Sequence, residues 1–167
     1  WLNTCTEFSQ VPPVIASVNP SSTTPAFGSN ASITAQVTNA TSVYLGYRNK
    51  PSDRFVRIAM LDDGNHNDGA AGDFVFGAAI PVNSLNIQYY VYAENANAGI
   101  FSPVRAEHEF YQLNPTIQQA TIADLVINEV LAANTTGIIN ESGKHKDWVE
   151  LYNKTTNSLG LNGIFLS

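Results

Sequence analysis

Apolar and polar residues alternate along much of this chain with a period of two, the pattern of strands that bury one face. In residues 31–38, for example, Ile33, Ala35 and Val37 fall on one face and polar residues on the other. We predict strands in this segment and in residues 42–48, 54–61, 86–94 and 105–112. Turn-forming residues separate these segments, and no segment has the apolar spacing of a helix of three turns.

The number and spacing of these segments predict an all-β fold. Seven or so short strands in about a hundred residues, with turns at regular intervals, are typical of an immunoglobulin-like β-sandwich. The chain has no Cys…Trp…Cys core, which excludes the antibody type and favours a fibronectin-III-like variant. We place this domain at residues 14–112, after an N-terminal linker (residues 1–13) that ends in Pro12-Pro13.

A polar, proline-containing linker is predicted at residues 113–123, after which the alternation restarts. Residues 125–131, 147–153 and 161–166 are predicted as three more strands. Residues 124–167 are too few to bury a core of their own. We therefore expect a partial, truncated second immunoglobulin-like domain, with docking onto the first sandwich or completion by another chain as alternatives.

Composition and charge disfavour several classes of function, among them nucleic-acid binding and a membrane span. Hydrophobic residues make up 44% of the 167 residues, so the chain can bury a core. The net charge of −6 disfavours binding to a phosphate backbone, and no apolar run approaches the ~20 residues that cross a bilayer. Cys5 is the single cysteine, so no intrachain disulfide can form. Because the chain starts at Trp1 without a methionine, we expect it to be a fragment of a longer protein.

An acidic loop at residues 62–73 is the one local signal that could carry chemistry. Calcium prefers six to eight oxygen ligands, which a flexible glycine-rich loop can supply. The candidate ligands in this loop are the side chains of Asp62, Asp63, Asn65, Asn67, Asp68 and Asp73. The spacing follows an EF-hand loop at its first, third and fifth positions and then departs from it, with Asp68 in place of glycine and Phe74 at position twelve. The alternative is a metal-free hairpin connection held by Asx-turns.

A second acidic group comprises Glu129, Asp147 and Glu150, beside Trp148. The alternation places Glu129 and Glu150 among apolar residues of their strands, where a carboxylate must find donors or shift its pKa. Such a shift is one sign of an active site. No nucleophile, histidine or phosphate-binding loop accompanies the group, so we favour a structural role and predict no catalytic residue.

Several aromatic residues could form a stacking surface for sugars or bases. They are Tyr89, Tyr90, Tyr92, Phe101, Phe110 and Tyr111. By alternation about half of them must fill the core, which leaves the remainder for the outer face.

The second segment carries a motif series that resembles a known family. Leu125–Val130 (LVINEV), Lys146–Asn153 (KDWVELYN) and Leu161–Ser167 (LNGIFLS) resemble the opening of bacterial lamin-tail domains, which run INE…DWxELYN…LxGxxLS. The resemblance implies that Glu129, Asp147, Trp148 and Glu150 are structural residues.

The first segment is similar to immunoglobulin-like modules of exported Bacteroidetes-type proteins. The similarity is carried by residues 62–77 (DDGNHNDGAAGDFVFG) and 88–103 (QYYVYAENANAGIFSP). Such modules often accompany lamin-tail and CotH-type (spore-coat kinase-like) domains, which implies a secreted or cell-surface bacterial protein. The commoner hairpin has Gly-Val-Tyr after the last Asp, and we expect its replacement here by Phe74-Val75-Phe76 to be conservative.

These observations predict a non-catalytic accessory module that spaces, docks or adheres within a multidomain exported protein. Its expected partners are the other domains of that protein, with a surface glycan or protein as a further ligand, and no nucleic acid or membrane span. The first alternative is a carbohydrate- or ligand-binding module with a calcium-stabilised acidic loop. The second is a metal-dependent hydrolase. We predict no cofactor, with a calcium ion in the acidic loop as the alternative.

Overall fold

The computed structural model describes residues 11–165, and within them the chain is all-β, as predicted. The described residues contain no helix, and therefore none that could cross a membrane. All strand pairs in the sheets are antiparallel. The ten strands of residues 11–165 are β1 (Val14–Pro20), β2 (Asn30–Thr38), β3 (Ser42–Arg48), β4 (Val56–Met60), β5 (Val75–Pro81), β6 (Ile87–Glu94), β7 (Gly99–Ser102), β8 (Tyr111–Leu113), β9 (Leu125–Leu131) and β10 (Trp148–Asn153). Cys5 lies outside the described residues.

The chain divides into two compact units, the first ending at Thr116 and the second beginning at Ile117. The described part of the first unit contains two sheets. The smaller has the order β1-β2-β5, and the larger has the order β4-β3-β6-β7. Strand β8 also pairs with β6, over Ile87–Tyr89, so that β7 and β8 occupy successive stretches of one edge of β6.

One hydrophobic core joins the two sheets of the first unit, as in a β-sandwich. The smaller sheet contributes residues such as Ile33 and Val37, which are buried as the alternation predicts. The larger sheet contributes Leu45, Tyr89 and Val91, which are also buried. The inward positions of β2, β3 and β6 could be assigned from sequence because a strand turns successive side chains to opposite faces.

Strand β6 is buried on both of its faces. Ile87, Tyr89 and Val91 point into the core, whereas Tyr90 is on the opposite face and is also fully buried. Side chains from neighbouring loops cover this opposite face, which we call the outer face of the larger sheet. The aromatic residues therefore divide between core and outer face.

Two segments predicted as strands differ in the structure. In residues 105–112 only the end is extended, as part of β8. A tight turn occupies the beginning, where the backbone N–H groups of His108 and Glu109 both donate to the carbonyl of Arg105. The prediction for residues 161–166 is also wrong over its described part, because Ile164 N–H bonds to the Leu161 carbonyl in a turn.

Among the described residues, strands β1, β5 and β7 were not among the predicted segments. Strand β5 contains the small residues Gly77, Ala78 and Ala79, which have little strand propensity. It is extended because it pairs with β2 along its whole length, from Asn30 opposite Pro81 to Gln36 opposite Val75. Strand β7 directly follows an Asn-rich turn, and the turn signal there hid the four-residue strand.

In the second unit, β9 and β10 form a two-stranded antiparallel sheet with a bulge between Glu150 and Leu151. The two strands agree closely with the predicted segments 125–131 and 147–153. Their apolar side chains are unusually open to solvent; Ile127, for example, is 53% exposed. The predicted apolar face around Glu129 is therefore not buried.

Candidate functional site

The acidic loop connects β4 to β5 and is closed by a bridge between Leu61 and Gly77. Each of these residues donates its backbone N–H to the carbonyl of the other, at 3.0 and 2.8 Å. The backbone of His66 lies so close to Gly77 that a side chain there would overlap it. Glycine at this position thus lets the loop fold back onto β5.

Asp68 organises the first half of the loop. It is only 2% exposed, and its Oδ2 accepts the N–H groups of Asp63 and Gly64 at 2.8 and 3.0 Å. Its Oδ1 accepts the His66 N–H at 2.9 Å. Burial alone would raise the pKa of Asp68, but these backbone donors outweigh burial and hold the pKa below its ordinary value.

Asp62 organises the second half. Its two oxygens accept the backbone N–H groups of Gly72, Asp73 and Phe74 at 2.7, 3.3 and 3.0 Å. Phe74 has a left-handed backbone with φ of 68°, a conformation unfavourable for a residue with a side chain. Glycine would therefore be less strained than Phe74 at this position, so exchange between the two residues is not conservative there, contrary to expectation.

The remaining predicted ligands are also engaged within the loop or with its neighbour. Asp63 Oδ1 accepts the Asn65 N–H and lies 2.8 Å from His66 Nδ1, and the contact with His66 is the largest cause of a lowered Asp63 pKa. Asp73 accepts the N–H groups of Ala70 and Val75. Asn67 points instead to β2, where its Nδ2 donates to Ser32 Oγ at 2.7 Å.

Five of the six predicted calcium ligands thus form hydrogen bonds within the loop, whereas Asn67 bonds to β2. Within residues 11–165, no three Asp, Glu, His or Cys side chains are grouped so that they could hold a metal ion. The geometry favours the metal-free alternative, because backbone N–H groups already stabilise the charges of carboxylates that would otherwise repel one another. The calcium-stabilised loop stays an alternative that a direct measurement must test.

The second acidic group lies in the second unit and is exposed. Glu129 and Glu150 are opposite each other in the β9–β10 pair, and Glu150 accepts a hydrogen bond from Asn128 Nδ2. Asp147 accepts the Asn134 N–H at 3.0 Å. These contacts connect two strands and a loop.

The loop before β10 is held together by the amide of Asn134, which is 7% exposed. Its Nδ2 donates to the carbonyls of Ile138 and Lys146, and its Oδ1 accepts the Gly137 N–H. The indole N–H of Trp148 is buried and has no hydrogen-bond partner in the described part of the chain. Sequence reasoning singled out the carboxylates here and missed Asn134, because a mid-loop Asn carries no distinguishing spacing.

On the outer face of the larger sheet, Tyr90 is the centre of a hydrogen-bonded network. Arg57 Nε donates a hydrogen bond to the Tyr90 hydroxyl at 2.9 Å, and that hydroxyl in turn donates to Glu107 Oε1 at 3.0 Å. Burial raises the pKa of Tyr90, and Glu107 adds to this while Arg57 opposes it. The Arg57 guanidinium also lies 5.0 Å from the ring centre of Tyr92, within reach of a cation–π contact.

A row of half-buried rings crosses the same face. Tyr44 stacks on Tyr92 with ring centres 6.3 Å apart, and Tyr92 contacts Phe101 at 4.7 Å. The row extends from β3 across β6 to β7. The alternation in β6 predicted the outward direction of Tyr90 and Tyr92, but the arginines that join the rings were not identified.

A charged cavity of about 470 Å³ lies next to this network. Its lining residues are Arg48, Asp53, Arg54, Phe55 and Glu107, and we use the name charged cavity for this set. They come from the end of β3, from the β3–β4 loop and from the β7–β8 loop, so no local motif brings them together. Only the folded chain places them side by side.

Comparison with known proteins gives no assignment. The chain matches no family model, and no curated protein matches it.

Proposed function

We propose that this chain is a non-catalytic accessory β-sandwich module of a secreted or cell-surface bacterial multidomain protein, in which it spaces, docks or adheres. The observation that carries the proposal is that the carboxylates of the acidic loop accept hydrogen bonds from the loop's own backbone. Asp62 and Asp68 each accept three backbone N–H groups. A general base or a metal ligand needs lone pairs directed at a substrate or an ion, whereas these lone pairs stabilise a hairpin connection.

Within this proposal the first unit is an immunoglobulin-like domain of the fibronectin-III-like variety. The strand order supports this, since the first, second and fifth strands form one sheet and the third, fourth, sixth and seventh form the other. Residues 124–167 are assigned to a lamin-tail-like domain on the motifs around Glu129 and Asp147–Asn153. The hydrogen bonds of Asp147 and Glu150 fit the structural role that this resemblance implies.

A hydrolase screen tests the non-catalytic role. The purified chain is incubated with chromogenic esters, phosphates, glycosides and peptides in the presence of magnesium, calcium, manganese or zinc. We expect no turnover above that of the Asp73→Ala variant. Turnover that is lost in folded Asp73→Ala would overturn the proposal and favour the metal-dependent hydrolase.

Proteolysis of intact cells tests the location. A protease added to cells that make the native protein should release peptides from residues 11–165, while a cytoplasmic marker stays intact. Peptides that appear only after lysis would contradict a surface location, and a protein found in the medium would identify the secreted form.

Recognition of a carbohydrate or another ligand is the second candidate function. The observation that favours it is the charged cavity, which lies beside a row of half-buried aromatic rings on one sheet face. Such a surface is unusual for a module that serves only as a spacer, because the outer face of a solvated sheet is ordinarily polar.

A further inference from the structure

Arg48 is held in a fixed position at the charged cavity. Its Nε donates to Gln88 Oε1 at 2.7 Å, and its guanidinium carbon lies 4.5 Å from the ring centre of Phe55. Phe55 in turn contacts Tyr90, with ring centres 5.0 Å apart. Two of the lining side chains are therefore preorganised, which reduces the entropy that a ligand must overcome on binding.

Glu107 lies at the cavity in a strained backbone conformation. Its φ of 72° is left-handed, a conformation that is unfavourable in a residue other than glycine and tends to occur at functional sites. In this conformation the Glu107 carboxylate accepts a bond from the Tyr90 hydroxyl. The exposed carboxylate is thus fixed at the cavity wall.

The charges of the lining residues indicate the class of ligand. Arg48 and Arg54 are balanced by Asp53 and Glu107, so neither an anion nor a cation gains net attraction there. The volume lies within the range of small-ligand sites. A neutral polyhydroxylated ligand suits this lining, because its hydroxyls can accept from guanidinium groups and donate to carboxylates while its C–H groups pack on the part of Phe55 that Arg48 and Tyr90 leave exposed.

We propose that the charged cavity formed by Arg48, Asp53, Arg54, Phe55 and Glu107 binds a neutral carbohydrate. This inference rests on the proposed accessory role, and it names neutral carbohydrate as the class of ligand to which the module adheres. The row formed by Tyr44, Tyr92 and Phe101 lies on the same sheet face and offers further stacking positions for a longer glycan.

Affinity gel electrophoresis of the whole chain tests the proposal. The probes are soluble β-glucan, xylan and mannan as neutral polymers, and polygalacturonate as an acidic one. We expect at least one neutral polymer to retard the chain, with retardation insensitive to salt because no counterions are released. The Arg54→Ala and Asp53→Ala variants should weaken that binding by about tenfold each, the effect of losing one hydrogen bond to a charged group.

Matched variants separate loss of the site from loss of the fold. Arg54 and Asp53 are exposed, so their variants should keep the wild-type melting temperature. Arg105→Ala removes an exposed arginine outside the cavity and should bind as the wild type does. Unchanged binding in Arg54→Ala and Asp53→Ala, retardation by polygalacturonate alone, or no retardation by any neutral polymer would overturn the carbohydrate site. None of these outcomes would affect the non-catalytic role, which the hydrolase screen tests separately.

Discussion

The ring of Tyr90 in β6 lies directly on Gly46 in the neighbouring strand β3. A Cβ atom at position 46 would overlap the ring. The two residues are partners in the register of the larger sheet, and the missing side chain of Gly46 leaves the space in which the ring lies. Arg57 in β4 pairs with Gly46 along the other edge of β3, and its side chain reaches past Gly46 to the Tyr90 hydroxyl.

The Gly46→Ala substitution should therefore destabilise the first unit. The added methyl group displaces the Tyr90 ring and breaks its bonds to Arg57 and Glu107, and overpacking of this kind costs about 1–3 kcal/mol. Urea denaturation measures the loss. In the Tyr90→Ala background the same glycine substitution should cost much less, because the ring is gone. Equal costs in the two backgrounds would contradict the packing account.

The backbone conformation of Phe74 makes a stabilising substitution available at this position. Its left-handed backbone is costly for any residue with a side chain, and its ring is 57% exposed and contributes little burial. Phe74→Gly should raise the free energy of unfolding by roughly 0.5–1 kcal/mol after the larger chain entropy of glycine is subtracted. Phe74→Ala is the control, since it removes the ring and keeps the strain. A gain in Phe74→Ala as large as in Phe74→Gly would show that the ring, and not the backbone, is responsible.

Asp68 should make the stability of the first unit depend on pH in the acid range. Its pKa is lower in the folded state than the ordinary value of 3.8, so its stabilisation is present above that value. It is lost as the pH falls through the folded pKa. Thermal melts from about pH 7 to about pH 2 should show this decline.

The Asp68→Asn variant identifies the carboxylate responsible. An amide cannot accept from three backbone N–H groups and places its own NH₂ against one of them, so the melting temperature should fall at neutral pH and depend less on acid. Asp53→Asn, at an exposed carboxylate, is the matched control. If both variants follow the same pH curve, Asp68 is not the responsible group.

These relationships also separate what the sequence predicts from what it cannot. The alternation in β2, β3 and β6 identified Ile33, Leu45 and Tyr89 as core residues, because period-two burial is a local property of a strand. The charged cavity could not be predicted, since Arg48 and Glu107 meet only through the pairing of distant strands. The acidic loop was found from composition, but whether its oxygens face an ion or their own backbone depends on the φ angles of residues such as Asn67 and Phe74.

Calcium should not stabilise the acidic loop. Extracellular calcium sites have dissociation constants of about 0.1–1 mM, so about 10 mM calcium would add up to about 2.7 kcal/mol to the stability of such a site. Because the loop carboxylates already accept backbone N–H groups, we expect equal melting temperatures in calcium and in chelator. A rise of several degrees in calcium that disappears in Asp62→Asn would establish the calcium-stabilised alternative.

The Asn134→Ala substitution should loosen the loop before β10 in the second unit. It removes the acceptor of the Gly137 N–H and the donor to the carbonyls of Ile138 and Lys146, and each such part-buried hydrogen bond contributes about 0.5–1.5 kcal/mol. Hydrogen exchange should accelerate in residues 134–147 and stay unchanged in the first unit. Asn162→Ala, at an exposed amide outside this loop, should leave both patterns as they are. Unchanged exchange in residues 134–147 of Asn134→Ala would mean that another contact, such as the bond between Asp147 and the residue 134 N–H, is sufficient to hold the loop.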